Sequence, residues 1–156
     1  MIPELCIEPL ANTREIPFEI LELADPSRTQ VDSYLKNGTC YLAKIDAVIV
    51  GVMILKKIIP ATMEIKNIAV RESQQGKGIG KALLRYSEKV SRESGYKNLV
   101  IGTGNSSIGQ LALYQKEGFE IDRIEMNFFI KNYPEPIFEN GIQCKHKVIL
   151  QKILKD

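Results

Sequence analysis

Hydrophobic and polar positions follow two different periods along this chain, which predicts a mixture of helices and strands. One segment has the i, i+3, i+4, i+7, i+11 spacing of an amphipathic helix. Its apolar positions are Ile79, Ala82, Leu83, Tyr86 and Val90. Gly95 is placed to end this helix in the left-handed conformation. The continuous apolar run that follows, Leu99-Val100-Ile101, is typical of a strand buried on both faces.

The same kind of reading along the whole chain predicts the order β-α-α-β-β-β-α-β-α-β-β. Predicted strands cover residues 5–10, 39–45, 48–55, 63–70, 99–101, 119–130 and 142–154. Predicted helices cover residues 15–24, 27–36, 79–94 and 107–117, with Ser27 as an N-cap. This order predicts an α/β fold in which a central mixed sheet carries helices on both faces. Because no internal repeat or low-complexity segment interrupts the pattern, we expect residues 1–156 to form a single domain.

Composition narrows the class of protein without identifying it. Apolar residues make up 44% of the chain and charged residues 26%, and the formal net charge is only +2. That charge is too small to indicate nucleic acid or a membrane as partner. The three cysteines are widely spaced, which favours free thiols in a reducing cytoplasm over disulfides or a metal site. The beginning of the chain lacks the pattern of a signal peptide, and no apolar run is long enough to span a membrane. We therefore expect a cytoplasmic protein.

A glycine-rich turn, Gln75-Gly76-Lys77-Gly78-Ile79-Gly80-Lys81, lies between the strand 63–70 and the helix that follows. Its three glycines leave the backbone N–H groups uncovered at a helix N-terminus, where the helix dipole is positive. Such a turn binds phosphate groups. Lys77, Lys81 and Arg85 add positive charge at i, i+4 and i+8. For Arg85, a solvent-facing role and a contact to a phosphate are equally compatible with the pattern.

Two nucleotide-binding motifs match this turn poorly. A nucleoside-triphosphate loop requires a hydroxyl after its lysine, but Ala82 follows Lys81. A dinucleotide fingerprint requires a third glycine where Lys81 stands. The similar sequence at residues 102–107 ends in serine and occurs too late in the fold. A nucleotide-binding oxidoreductase therefore stays open only as a weak alternative.

Three linked motifs resemble those of the GNAT superfamily, the acetyl-CoA-dependent N-acetyltransferases. Residues 75–80 match its Gln/Arg-x-x-Gly-x-Gly/Ala turn, Ile68-Ala69-Val70 matches its Leu-Ala-Val strand end, and residues 113–119 resemble its Leu-Tyr-x-x-x-Gly-Phe segment. The motifs occur in the expected order and spacing between Met63 and Phe119. The resemblance implies the co-substrate acetyl-CoA and no metal.

The resemblance also implies a set of coenzyme-binding residues. The turn would bind the pyrophosphate, and the backbone of Ile68 and Val70 would pair with the pantetheine arm. Members often carry an asparagine seven residues before their tyrosine; Ser107 stands there, and Asn105 is the nearest asparagine. Either of these two residues, or neither, contacts the coenzyme. The full predicted set is Ile68, Ala69, Val70, Gln75, Gly76, Lys77, Gly78, Ile79, Gly80, Lys81, Asn105 and Ser107.

Acetyl transfer to an amine requires loss of an amine proton, a donor for the developing oxyanion and an acid for the leaving thiolate. The resemblance implies Tyr114 as that acid and a backbone N–H near Val70 as the oxyanion donor. Glu64, five residues before Ala69, is the candidate base through a water molecule. Glu125 and Asp122 are reserves, and an amine of low pKa would need no base. His146, the only histidine, is predicted to be a surface strand residue.

The acceptor side of the reaction is not specified by any motif. We predict transfer to a primary amine of a small molecule or peptide, by direct attack in a ternary complex. A non-catalytic module that binds or senses acyl-CoA is the main alternative. The aromatic segment 127–141 would wall the acceptor pocket, cover the protein as a loop, or form the contact of a homodimer.

Overall fold

The computed structural model describes residues 4–11 and 16–155. The strands are β1 (Leu5–Pro9), β2 (Thr39–Ile45), β3 (Val48–Ile58), β4 (Thr62–Val70), β5 (Asn98–Gly104), β6 (Glu120–Glu125), β7 (Ile137–Glu139), β8 (Ile142–Cys144) and β9 (Lys147–Ile153). The helices are α1 (Phe18–Ala24), α2 (Arg28–Asn37), α3 (Ile79–Glu93), α4 (Ile108–Lys116) and α5 (Phe128–Asn132). None of the helices described is both long and apolar enough to cross a membrane.

Seven strands form one sheet in the order β1-β2-β3-β4-β5-β9-β6, and β7 with β8 forms a separate hairpin. Strands β4 and β5 are parallel, whereas the other neighbours in the sheet are antiparallel. Helices α1 and α2 pack on one face through Ile20, Leu21 and Val31. Helices α3 and α4 pack on the opposite face, where Leu83 and Tyr114 join the larger core cluster. The prediction of an α/β fold with a mixed sheet and helices on both faces is confirmed.

Local signals in the sequence set several element boundaries. The Ser27 hydroxyl accepts a hydrogen bond from the Gln30 N–H at 3.3 Å and caps α2 as predicted. Gly95 and Gly118 follow α3 and α4 with φ of 82° and 96°, a conformation that favours glycine. The predicted start of the first helix at Glu15 lies outside the described residues. The three cysteines are free thiols, as expected.

Two predicted strands near the end of the chain are wrong as continuous elements. The predicted strand 119–130 is divided into β6 and helix α5, because Asn127 takes a left-handed φ of 60° between them. The predicted strand 142–154 is divided into β8 and β9. Asn105 Oδ1 accepts hydrogen bonds from the N–H groups of Lys145 and His146, which removes these two residues from any strand pairing. The apolar pattern could not indicate either interruption.

A bulge in β4 and a fork beside it shape the centre of the sheet. Pairing of β3 with β4 runs through Ile54–Asn67 and then Leu55–Ile65, so that Lys66 is the extra residue. Pairing of β4 with β5 begins at Thr62–Asn98 and ends at Ile65–Ile101. Beyond that pair, no register between β4 and β5 continues in the part of the chain described. The two strands therefore diverge, and the sheet opens between them.

Candidate functional site

The opening between β4 and β5 exposes backbone groups of the last turn of β4. The Arg71 N–H donates to the Val50 carbonyl on β3 at 2.8 Å. Backbone polar groups alternate in direction along a strand, so Ala69 also faces β3, whereas Ile68 and Val70 face the opening. The Val70 carbonyl there accepts a hydrogen bond from Gln75 Nε2 at 3.0 Å. The structure thus brings Ile68, Val70 and Gln75 together at the opening, while the Ala69 side chain is buried in the core.

The glycine-rich turn leaves a series of backbone donors unsatisfied beside this opening. Gly76 and Gly78 have φ of 79° and 88°, which explains why the sequence places glycine there. Gly78 is the N-cap of α3, and the first helical hydrogen bond runs from the Ala82 N–H to the Gly78 carbonyl at 3.0 Å. Within the described chain, the N–H groups of residues 76–81 have no hydrogen-bond acceptor. The exposed turn is therefore able to bind an anion such as a diphosphate.

The basic side chains around the turn differ in their contacts. Lys77 Nζ donates to Gln74 Oε1 at 3.2 Å and stays exposed. Lys81 is also exposed and has no ion pair with any residue that the structure describes. Arg85 Nε instead lies 2.9 Å from Glu117 Oε1 at the end of α4. The two lysines supply positive charge at the turn, whereas the charge of Arg85 is already paired.

Helix α4 approaches the opening from the side of α3. A Cβ atom built on Gly80 would lie 3.6 Å from Leu113 Cδ2 on α4 and 3.9 Å from Val70 Cγ2 on β4. The next residue, Tyr114, is only 4% exposed and packs against Phe119 with ring centroids 6.2 Å apart. No group in the described residues hydrogen-bonds its hydroxyl. Burial raises the pKa of Tyr114, so the phenol stays protonated.

Asn105 and Ser107 have hydrogen-bond partners within the protein. Asn105 Oδ1 accepts from two backbone N–H groups at 2.8 Å each, and its Nδ2 donates to the Gln143 carbonyl at 3.1 Å. Ser107 occupies the N-cap position of α4, but its hydroxyl donates to Glu139 Oε1 at 2.8 Å instead of capping the helix. These bonds fix the β7–β8 hairpin against the end of β5. Neither side chain hydrogen-bonds to the turn in the part of the chain described.

A cavity of about 540 Å³ lies on the face of the sheet that carries α1 and α2. Strands β4, β5, β9 and β6 form its floor, Ile58 at the end of β3 borders it, and α2 and α5 form its walls. It reaches the fork of the sheet, because Lys66 and Gly102 line it just beyond the last β4–β5 pair. Its polar lining consists of Gln30, Tyr34, Thr62, Glu64, Lys66, Arg123, Glu125, Asn132 and Lys147.

The predicted base candidates occupy different places around this cavity. Glu64 is only 13% exposed, and its Oε1 lies 3.2 Å from Lys66 Nζ. Glu125 also lines the cavity, whereas Asp122 lies outside it and pairs with Arg123 at 3.0 Å. His146 lies between β8 and β9 rather than within a strand, and its Nδ1 accepts the Asn127 N–H at 2.9 Å.

Sequence reasoning missed the remaining charged residues of the cavity. Lys66, Arg123 and Lys147 come from three different strands, and no motif connects them. Strand alternation alone would have placed Lys147 and Glu125 on one face, since they are cross-strand neighbours, but only once the pairing of β6 with β9 was known. The described residues contain no group of three or more metal-ligating side chains.

Comparison with known proteins identifies the family. The sequence model of the acetyltransferase (GNAT) family matches residues 7–119. An uncharacterized N-acetyltransferase of Bacillus subtilis, YvbK, is 48% identical over 147 residues, which is 94% of this chain and 95% of that protein. The crystal structure of a GNAT family acetyltransferase from Elizabethkingia anophelis with acetyl-CoA bound has a TM-score of 0.96 and 48% identity, covering 98% of this chain and all of that one.

A third relative is the Bacillus subtilis acetyltransferase solved in complex with CoA, with a TM-score of 0.92 and 48% identity. The similarity covers 97% of this chain and 99% of that one. The similarity thus extends well beyond the three motifs, to both ends of the fold. These likenesses confirm the predicted enzyme class, an acetyl-CoA-dependent acyltransferase. The chain belongs to the GNAT family of acetyltransferases.

Proposed function

We propose that this protein transfers an acetyl group from acetyl-CoA to a primary amine of a small molecule or peptide, by direct attack in a ternary complex. One observation carries the proposal: the opening between β4 and β5 lies between the glycine-rich turn and a cavity on the other face of the sheet. A donor can enter from one side and an acceptor from the other. The two solved relatives that contain acetyl-CoA and CoA support the choice of donor.

The coenzyme would bind along the turn and the free edge of β4. The N–H groups of residues 76–81 and the charges of Lys77 and Lys81 would hold the diphosphate. The backbone of Ile68 and Val70 would pair with the amide groups of the pantetheine arm, as an added strand does. The thioester then lies at the fork, where the Val70 N–H can stabilise the developing oxyanion. Asn105 and Ser107 are left out of this assignment, because the protein itself satisfies their side chains.

Two side chains would move the protons. Glu64, at the edge of the cavity beside the fork, would accept the amine proton through a water molecule. Tyr114 would donate its proton to the leaving thiolate, because its hydroxyl has no protein partner and burial keeps it protonated. A module that only binds acyl-CoA would need the turn but no cavity with a carboxylate beside the thioester. The cavity therefore favours the enzyme over the binding module.

Gly80 offers a test of the coenzyme site that does not strain the fold. A Cβ there meets nothing closer than 3.6 Å, and Gly80 has an ordinary helical φ. We expect Gly80→Ala to keep acetyl-CoA affinity and to stabilise the protein by about 0.5 kcal/mol. We expect Gly80→Asp to lower acetyl-CoA affinity at least tenfold, because the new carboxylate competes with phosphate for the same amides. Gly80→Asn is the uncharged control of equal size.

Calorimetric titration with acetyl-CoA measures the affinities, and thermal unfolding verifies that each variant is folded. Thiol release from acetyl-CoA across a panel of amines then measures activity. A folded Gly80→Asp protein with unchanged affinity would place the coenzyme elsewhere. Tight acetyl-CoA binding without thiol release for any amine in the panel would favour the binding module.

A further inference from the structure

Three cations and two carboxylates line the acceptor cavity, and one of the cations has no carboxylate within ion-pair distance in the described chain. Counting Asp122, which lies outside the cavity 3.0 Å from Arg123, the positive and negative charges around it are equal in number. Glu64 lies 3.2 Å from Lys66, and Glu125 lies 3.9 Å from Arg123. Each carboxylate therefore has a cation beside it. Lys147 is the cation that remains.

Lys147 has no ion pair with any residue in the described chain. Its Nζ lies over the Phe128 ring at 4.6 Å from the centroid, a contact that only partly replaces the lost hydration of an ammonium. Burial lowers the pKa of Lys147, with Lys66 and Arg123 adding to this effect and Glu64 and Glu125 opposing it. A half-buried ammonium without an anionic partner costs free energy. A ligand that brings an anion into the cavity would offset this cost.

The fold holds the Lys147 side chain in a defined position. Lys147 begins β9 and pairs with Gly104, and its side chain crosses over Gly102 on β5. A Cβ at residue 102 would lie only 2.3 Å from Lys147 Cε. Glycine at this position thus leaves the space that the lysine fills. The ammonium is kept in the same cavity as Glu64.

We propose that the amine acceptor also carries a carboxylate and that Lys147 binds this group while the amine lies near Glu64. This proposal rests on the proposed function and narrows its substrate class. Amino acids and small amines with a nearby acidic group fit the cavity. Acceptors that carry only positive charge, such as polyamines, would bring no anion to the unpaired Lys147 ammonium. A charge-assisted hydrogen bond to a carboxylate also fixes the orientation of the acceptor.

Product analogues separate recognition of the carboxylate from the ionisation of the amine. N-acetylated amino acids and their carboxamides differ at the carboxylate but have no titratable amine. We expect wild-type protein saturated with CoA to bind the acid of at least one pair about tenfold more tightly than its amide, the usual size of a charge-assisted bond. Lys147→Met should reduce this preference below about threefold. Lys145→Met, which removes an exposed lysine two residues away, should keep the full preference.

Gly102→Ala provides a variant that keeps the charge but moves it. The new methyl group must displace the Lys147 side chain, which is flexible, so the fold should be retained. We expect the carboxylate preference to fall while CoA affinity stays unchanged. If no acid outbinds its amide in wild-type protein, or if Lys147→Met retains the preference, the proposal is overturned. CoA affinity and thiol release are measured on the same samples. They test the proposed acetyl transfer independently of the carboxylate preference.

Discussion

Tyr114 is a largely buried polar side chain for which the described protein supplies no hydrogen-bond partner. The hydroxyl oxygen itself is not among the fully buried unpaired atoms of the described chain, so solvent still reaches this end of an otherwise buried ring. The motif around residues 113–119 pointed to this tyrosine, but a core aromatic would satisfy the same pattern equally well. The accessible hydroxyl without a protein partner is compatible with a contact to the coenzyme, because a ligand can take the place of solvent there. A thiolate from the coenzyme is the partner that the proposed reaction supplies.

Tyr114→Phe follows directly as a prediction. We expect acetyl-CoA affinity to be unchanged and kcat to fall at least about tenfold, because a positioned general acid typically contributes roughly a hundredfold or more. Thermal stability should be about equal, because the substitution breaks no protein hydrogen bond. Steady-state kinetics and thermal unfolding measure both effects. A variant that keeps full turnover would show that solvent protonates the thiolate.

Glu64 has the burial and the position at the fork that a base requires, whereas Glu125 lies farther along the cavity on β6. We expect Glu64→Gln to lower kcat/KM at least about tenfold near neutral pH and to remove the rising limb of the pH–rate profile. The loss should shrink at alkaline pH, where the amine deprotonates without help. Glu125→Gln is the matched control. If the limb disappears in the Glu125 variant and persists in the Glu64 variant, the assignment of the base is reversed.

At the scale of elements, hydrophobic periodicity predicted the strand and the helix that flank the turn. It did not predict the irregularities that interrupt strands. The helix from Ile79 and the strand before it occur close to their predicted bounds, because one periodic face is buried in each. The Lys66 bulge gives no comparable signal, yet it shifts the later side chains of β4 to the other face. Val100, expected to be fully buried, is half-buried because one face of β5 lines the cavity.

Helix α5 shows why the acceptor side was harder to predict than the coenzyme side. Its residues Phe128 and Asn132 line the cavity, and the nearby Tyr133 hydroxyl donates to Asp25 Oδ2 at 2.9 Å. Tyr34 on α2 donates to the same oxygen at 3.2 Å. These contacts join segments more than one hundred residues apart in sequence. Hydrophobic periodicity indicates only which residues of one element are buried. It cannot predict that segments so distant in sequence come together to line one cavity.

For the whole molecule, the sequence predicted the fold class and the coenzyme turn but not the acceptor cavity. The turn is one continuous segment, and the positive φ at Gly76 and Gly78 requires glycine at both positions. A short stretch of sequence is therefore enough to indicate a turn that can bind an anion. The cavity combines residues from α2, α5 and five strands. Its charge balance exists only after the strands are paired. The family motifs could therefore identify the donor while leaving the acceptor open.

Burial of weak acids makes the stability of the whole fold sensitive to alkaline pH. Burial raises the pKa of Cys40 to about 11 and raises the pKa of Tyr114, so the folded state keeps protons that the unfolded chain loses from about pH 9 upward. Because the unfolded state then binds fewer protons, the free energy of unfolding must fall as pH rises. At pH 10.5 we expect a loss of roughly 2 kcal/mol from Cys40 and a smaller loss, roughly 1 kcal/mol, from Tyr114. Urea unfolding between pH 8 and pH 10.5 measures the slope. It should be shallower in Tyr114→Phe and shallower still in Cys40→Ala, and equal slopes in all three proteins would contradict the assignment of these buried acids.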